Sequence, residues 1–498
     1  MARRPTLKEI RKSFGGSHEF SNSYLSTDQS RLKWSRSWTA GSGDHHLSDS
    51  DLASMRGQSY HMDRNNIIWS SLMDRWIDNV VGAGPTFRIR TGKDIKRNEA
   101  LEERMVEYCE NEIDIRGLMD IVSMMRTGLR TIGNGGDVGY IMTDQWALQA
   151  IEPDLIVTPK GRSRGHGIVA GVELGDLDRI KAFHVGRWTQ YGYADPSSTM
   201  EIPAEYMLYV PYLKRFSQTR GVPIMAGSLD LFEAIDNYID AVVVSAQVGA
   251  CQGLVVKSEH GAALGEAMAN ANEETTDDND TEYLQEMMPG RVWYLQGGES
   301  VEQVRPEQPS AEFEPFVRQI TRLLGLPLGL PLELAALDFS ETNYSNARAA
   351  FLQAHVNFRT WQRLLDVRFL RPFTRWILPH LAQDIGARWN EKKDRFVWQQ
   401  TGWQWVDPEA QANAMQTMLD INATTLQAEL GKNGMWWRDV MTQRKIEKDL
   451  EKELGLEKKE PAPAPFGGKP EEPKEKEQPD KAKKDAEPAG ESKTEGPG

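Results

Sequence analysis

The apolar positions across residues 228–250 (SLDLFEAIDNYIDAVVVSAQVGA) recur at helical spacing. Placed at 100° per residue, Leu231, Ile235, Tyr238, Ile239 and Val242 form one stripe, and Asp230, Glu233, Asp236 and Asp240 gather opposite it. Ser228 stands at the N-cap position, and Asp230 and Glu233 occupy the first turns, where the helix dipole favours anions. The pattern predicts a helix of about 22 residues, roughly 33 Å long. Taken alone, such a helix reads most plainly as a surface element with a solvated acidic side.

Ahead of it, residues 1–50 show no sustained period and read as a loose basic arm. From Asp51 the apolar positions (Leu52, Met55, Tyr60, Ile67, Ile68, Leu72, Trp76, Val80) follow mixed three- and four-residue spacings up to a Gly-Pro stop at residues 82–85. A short alternating strand at 86–91, a helix at 94–110 and a further helical pattern at 117–130 come next. Residues 131–215 break into short apolar runs split by Gly, Pro and Asp, the signature of strands and turns.

Beyond the acidic helix, residues 253–257 and 291–296 read as two strands flanking an acidic insert around NANEETTDDNDTE. Residues 310–324 predict a second amphipathic helix, with Phe313, Phe316, Val317, Ile320 and Leu324 on one face. GLPLGLPLELAALDFS then follows, too broken for a regular helix and too apolar for an uncovered loop. Asn343 opens a long helical pattern to Trp376, in which Pro372 removes a donor and predicts a kink or break. Six arginines line it, among them Arg348, Arg359 and Arg363. Asp407-Pro408 reads as N-cap and N1 of another helix, Thr424–Gln427 as a capping box for the next, and a charged amphipathic helix follows Gly434. Residues 456–498 are rich in Pro, Lys and Glu and read as a disordered tail.

Composition narrows the function classes. The 498 residues suffice for several domains, and the formal net charge of −14 gives no global attraction to nucleic acid, so any DNA contact is local or weak. Fifteen tryptophans suit extensive packing or subunit surfaces. Two cysteines without CxxC spacing argue against a disulfide framework or a zinc site, and no window is apolar enough to span a membrane. The N-terminus lacks the apolar segment of a signal peptide, so an intracellular soluble protein is expected. GNGGDVG (133–139) resembles a fragment of a phosphate loop, but Val138 stands where GxGxxG needs glycine and no GK[ST] occurs, so turn glycines are the better reading. His45-His46 lacks ligating partners at helical spacing. No GxSxG, HExxH or Walker motif is present, and no catalytic, cofactor or metal residues are assigned.

Four stretches carry a resemblance. LASMRGQSYHMDRNNIIWSSLMDRWIDNVVGAG (52–84), RFSQTRGVPIMAG (215–227), LDFSETNYSNARAAFL (337–352) and the helices following Asp407-Pro408 resemble, in order, the lambda-type portal family of tailed bacteriophages. The resemblance covers about residues 50–455 and leaves out the arm and the tail. It implies an α+β portal fold of wing, stem, clip and crown, closed into a ring of about twelve through heterologous contacts. Divided accordingly, the chain has an arm (1–50), a wing (51–227), a stem helix (228–250) and a clip (251–309). A second stem helix (310–325), a tunnel loop (326–342), a long kinked helix returning to the wing (343–404), crown helices (405–455) and a tail (456–498) complete it. Glu233, Asp236 and Asp240 are expected to line the channel, where an acidic wall lets duplex DNA slide. Leu328, Leu330, Leu332, Glu333 and Leu334 are expected to face DNA from the tunnel loop, and Arg348, Arg359 and Arg363 to meet DNA or a neighbouring subunit.

The implied function is a DNA packaging and ejection channel at one capsid vertex of the virion, assembled in the host cytoplasm. Implied partners are other copies of the chain, double-stranded DNA, the terminase large subunit, major capsid and scaffolding proteins and a head-tail adaptor, with no membrane and no cofactor. Two other readings of the sequence stay open at this point: a capsid-assembly scaffold or adaptor, and a nucleotide-dependent enzyme.

Overall fold

A computed structural model describes residues 49–90, 94–162, 167–250, 254–258, 299–303, 313–340, 342–391, 393–403 and 408–455. The first helical pattern divides into α1 (Asp49–Asn65) and α2 (Ile67–Val81) at Asn66. Asn66 is extended, and its side-chain oxygen accepts from the Trp69 amide, so this one residue restarts the helix. The mixed spacing in the sequence is the trace of that restart. Gly82 ends α2, and β1 (Thr86–Ile89) follows.

Asp94 caps α3 (Ile95–Asn111) and Asp120 caps α4 (Ile121–Gly135), each accepting from the amide three residues on. The last turn of α4 therefore contains Gly133 and Gly135, which the sequence pattern had assigned to turns. A Cβ on Gly133 would lie 2.0 Å from Met73 Cε. These glycines serve close helix packing, and only Gly136 (φ +89°) makes the left-handed exit into β2 (Asp137–Met142).

Strands β3 (Leu148–Ile151), β4 (Ile168–Val169), β5 (Val172–Leu174), β6 (Ile180–Trp188), β7 (Ala194–Pro203) and β8 (Met207–Pro211) form two antiparallel sheets. Their orders are β3-β2-β8 and β4-β5-β6-β7. A small core of Ile141, Ile151, Val172, Phe183, Ile202 and Tyr209 draws on both sheets.

Next come α5 (Leu229–Ala250), β9 (Leu254–Ser258) and β10 (Glu299–Gln303), the two strands pairing antiparallel. The expected strand at 291–296 and the acidic insert lie outside the described residues, as do the arm with His45-His46, Cys251, Asp407 and the tail. Then follow α6 (Phe313–Gly325), a one-turn α7 (Leu332–Ala335), α8 (Tyr344–Leu365) and α9 (Arg371–Asp384). The break expected at Pro372 is a π-helical turn at Asp366–Leu370, which leaves Pro372 in the first turn of α9, where it needs no amide partner.

Strand β11 (Phe396–Gln399) returns to pair with β1, and α10 (Pro408–Asp420) and α11 (Leu426–Lys432) follow. Thr425 caps α11 by accepting from the Ala428 amide. The main core gathers α2, α3 and α4 with the start of α5, the end of α6 and the buried faces of α8 and α9. A second unit begins at Arg438, and helix α12 (Trp437–Glu453), most of which lies in it, has no buried residue.

Candidate channel and interface surfaces

The segment leading into α5 is fixed by buried charge. Arg220 donates from Nε to Asp137 Oδ2 at 2.8 Å and from Nη2 to Oδ1 at 3.0 Å. Its remaining donors reach the carbonyls of Pro153, Ile156 and Ala170. Asp137 also accepts from the Tyr209 hydroxyl and the Gly221 amide, both at 2.8 Å. Arg56, also buried, adds a longer ion pair to Asp137 at 3.6 Å and donates to the carbonyls of Gly135 and Pro153.

Burial alone would raise the Asp137 carboxyl, but the Arg220 and Arg56 guanidiniums outweigh it and hold the group below its ordinary range. Gly221 crosses so close to Gly136 that a Cβ there would fall 1.8 Å from the Gly136 carbonyl oxygen. Gln218 completes the clamp, accepting from the Lys214 amide and donating to the Arg220 carbonyl. The Gln218–Pro223 motif is thus an anchor that sets where α5 leaves the two-sheet body.

Along α5, Phe232, Ile235 and Val242 are buried, and Leu231, Tyr238 and Ile239 half-buried. Tyr238 meets Phe316 of α6 edge-on, with ring centroids 4.8 Å apart. Glu233 and Asp240 are exposed as expected of the acidic face. Asp236 is not free: half-buried, it accepts from Asn66 Nδ2 at 2.8 Å and joins α5 to the cap of α2. Farther along the helix, Val243 and Val244 are about half exposed, as are Phe316 and Leu323 on α6.

The leucine-rich segment corrects its sequence reading. Leu328, Leu330 and Leu332 are 0, 1 and 5% exposed, packed inside the chain's own core rather than presented outward. The reason is local. A 3-10 turn at Leu326–Leu328 and the left-handed Gly329 fold the segment back, and Asn357 Nδ2 holds the Leu328 carbonyl at 2.7 Å. Arg75 donates to the Ala335 carbonyl. Glu333 and Leu334 are half-buried, with Glu333 accepting from the Thr342 hydroxyl. The large apolar side chains that the segment does expose are Leu326, Leu337 and Phe339.

Asn343 caps α8, as its motif suggested, and Arg348 in the second turn is half-buried. Arg359 and Arg363 are exposed farther along the helix. The Arg359 guanidinium lies 5.6 Å over the Trp403 ring, and Arg363 stands 4.0 Å from Asp366. Across from them, Arg90 covers Trp436 at 5.4 Å. The grouping of Arg90, Trp403 and Trp436 with the α8 arginines escaped the sequence, because these residues lie far apart in the chain and carry no motif.

Among the described residues no cluster of His, Cys, Asp or Glu is arranged to hold a metal, and no helix is long and apolar enough to cross a membrane. Cys109 is buried, and burial raises its thiol well above the usual range.

A mixed helix-and-sheet body thus anchors one long, partly acidic helix through a buried arginine clamp. The chain belongs to the lambda family of phage portal proteins, whose family model matches residues 31–362. A probable portal protein of Halomonas phage phiHAP-1 is 24% identical over 492 residues, covering 88% of this chain and 87% of the relative. Among solved structures, the neck of an empty GTA particle computed with C6 symmetry has a TM-score of 0.42 at 12% identity, covering 75% of this chain and 93% of that one. The neck of a native GTA particle computed with C12 symmetry has a TM-score of 0.39 at 11% identity, covering 75% and 92%.

Proposed function

We propose that this portal protein closes into a ring of about twelve subunits at one capsid vertex. The ring forms the channel through which double-stranded DNA is packaged and ejected. It docks the terminase during packaging and the head-tail connector afterwards. The observation that carries this reading is the stem pair α5 and α6. Held at one end by the Arg220 clamp, α5 presents exposed Glu233 and Asp240, while the pair leaves Val243, Val244, Phe316 and Leu323 partly uncovered.

Uncovered apolar side chains on a helix pair suit a neighbouring subunit, because burying them removes water from apolar surface. Exposed carboxylates suit the channel wall, because a cationic lining would bind phosphates and hold the duplex in place. On this reading residues 251–309 form the clip, and Leu326, Leu337 and Phe339 replace the inward-packed leucines as the apolar groups offered by the tunnel segment. Negative-stain microscopy and native mass spectrometry of the purified chain test it. Rings with a central hole are expected, and a monomer under all assembly conditions would refute the proposal.

A further inference from the structure

A groove of about 640 Å³ lies against α8, β11 and α11, lined by Arg90, Arg359, Arg363, Gln400, Lys432 and Trp436 among others. Its walls are held firmly. Gln399 Nε2 donates to the Gly431 carbonyl at 2.8 Å, and Gln362 Nε2 bridges the carbonyls of Val80 and Thr401. Gly402 permits the close approach, since a Cβ there would fall 2.4 Å from the Lys432 carbonyl oxygen.

The charge in this groove is unbalanced. Asp366, the carboxylate in its lining, is held by Arg371 at 2.7 Å and only distantly by Arg363 at 4.0 Å, and Lys432 is matched by Glu429 at 2.7 Å. Arg90 and Arg359 instead rest on the indole rings of Trp436 and Trp403. A guanidinium stacked on a ring keeps its in-plane N–H donors free for an anion. Gln400, also in the lining, buries its side-chain Nε2 with no hydrogen-bond partner, a donor whose desolvation is uncompensated. The lining thus offers several donors, fixed in orientation, to an anionic acceptor.

We infer that this groove binds phosphate groups of a nucleic-acid strand through Arg90, Arg359, Arg363 and Gln400, without reading base sequence. An acidic peptide offers carboxylates to the same guanidiniums and is the alternative occupant that the test separates. The inference deepens the DNA-conduit reading and rests on it for the source of the phosphate. It also gives a chain of net charge −14 one local point of attraction to DNA.

The test is fluorescence anisotropy of the full chain with a labelled duplex oligonucleotide and a labelled poly-glutamate peptide, with inorganic phosphate as competitor. Arg90→Gln/Arg359→Gln should weaken duplex binding roughly a hundredfold at low salt, about tenfold per lost charged contact. It should also make the slope of log affinity against log salt shallower by about 1.8, at 0.9 per phosphate contact. Gln400→Glu, which sets a carboxylate among the donors, should weaken binding as well, and Arg322→Gln on α6 should leave it unchanged. Equal duplex affinity in the wild type and the double variant would overturn the inference. So would poly-glutamate binding that only the groove variants abolish, or displacement of the duplex by micromolar inorganic phosphate, which would mark a free-anion site. Ring formation is scored by microscopy on the same samples. Absent rings then count against the portal assembly, while the anisotropy still decides the groove.

Discussion

Asp137 shows how a single residue fixes the segment that leads into α5. Its carboxylate is fully enclosed and shared by Arg220, Arg56, Tyr209 and the Gly221 amide. Removing one partner from such a cluster leaves an uncompensated buried charge, worth about 3–5 kcal/mol. Asp137→Asn should therefore lower stability by about that amount in urea denaturation of the unassembled chain. The same residue sets a pH dependence. Its folded-state value lies below the unfolded value of about 3.9. The stabilisation is consequently complete above that unfolded value and is lost as pH falls through the lower folded value. Acid titration of the denaturation midpoint should show a steeper loss below about pH 4 in the wild type than in Asp137→Asn. A variant as stable as the wild type at neutral pH would show that the clamp does not govern this part of the fold. The Gln-Thr-Arg-Gly-Val-Pro words in the sequence marked the family, but not why the arginine is there. Its partner lies 83 residues upstream, inside a glycine-rich stretch that reads as a run of turns.

At the scale of elements, the acidic face of α5 divides into two kinds of residue. Glu233 and Asp240 touch solvent, so Glu233→Lys/Asp240→Lys should shift stability by no more than about 0.5 kcal/mol. The same pair should impair DNA packaging or ejection if the face lines a channel, and packaging at the wild-type level would remove that assignment. Asp236→Lys should behave differently, because it breaks the hydrogen bond to Asn66 and with it the joint between α5 and the cap of α2. A loss of about 1.5 kcal/mol is expected in the melt of the unassembled chain, at the low end for a bond to a charged group because Asp236 is half-exposed. Helical periodicity placed all three carboxylates correctly on one side of the helix. It could not distinguish them, since the partner of Asp236 belongs to a helix 170 residues earlier. The leucine-rich segment failed for a related reason. Its composition announced an apolar stretch needing cover, and the cover was α2 and α8 of the same chain rather than a ligand. The long helix was legible in part: Asn343 as its cap follows from local chemistry, while the interruption expected at Pro372 falls a turn earlier, at the π-helical Asp366–Leu370.

For the molecule as a whole, the question is which surface remains unfinished in one copy. The main core is complete around α2, where Trp69 and Trp76 are fully buried, and several of the fifteen tryptophans are used inside the subunit rather than between subunits. The α5–α6 pair is different. Val244 and Phe316 are 56 and 44% exposed on helices whose other faces are packed, which suits the heterologous contact of the proposed ring. Charged substitutions there should separate folding from assembly. Val244→Lys/Phe316→Glu places both charges at partly exposed positions of the unassembled chain and gives up the Phe316–Tyr238 ring contact, so its circular dichroism should stay near the wild type with a stability loss of about 1 kcal/mol. In a ring the same charges would be buried without partners, at a cost of several kcal/mol per subunit contact, and closure multiplies that cost around the circle. Size-exclusion chromatography with light scattering should then show a folded monomer where the wild type runs as a ring. Rings of normal size and stability from the double variant would move the subunit contact away from the stem. A variant that loses its fold would show instead that these side chains complete the subunit itself.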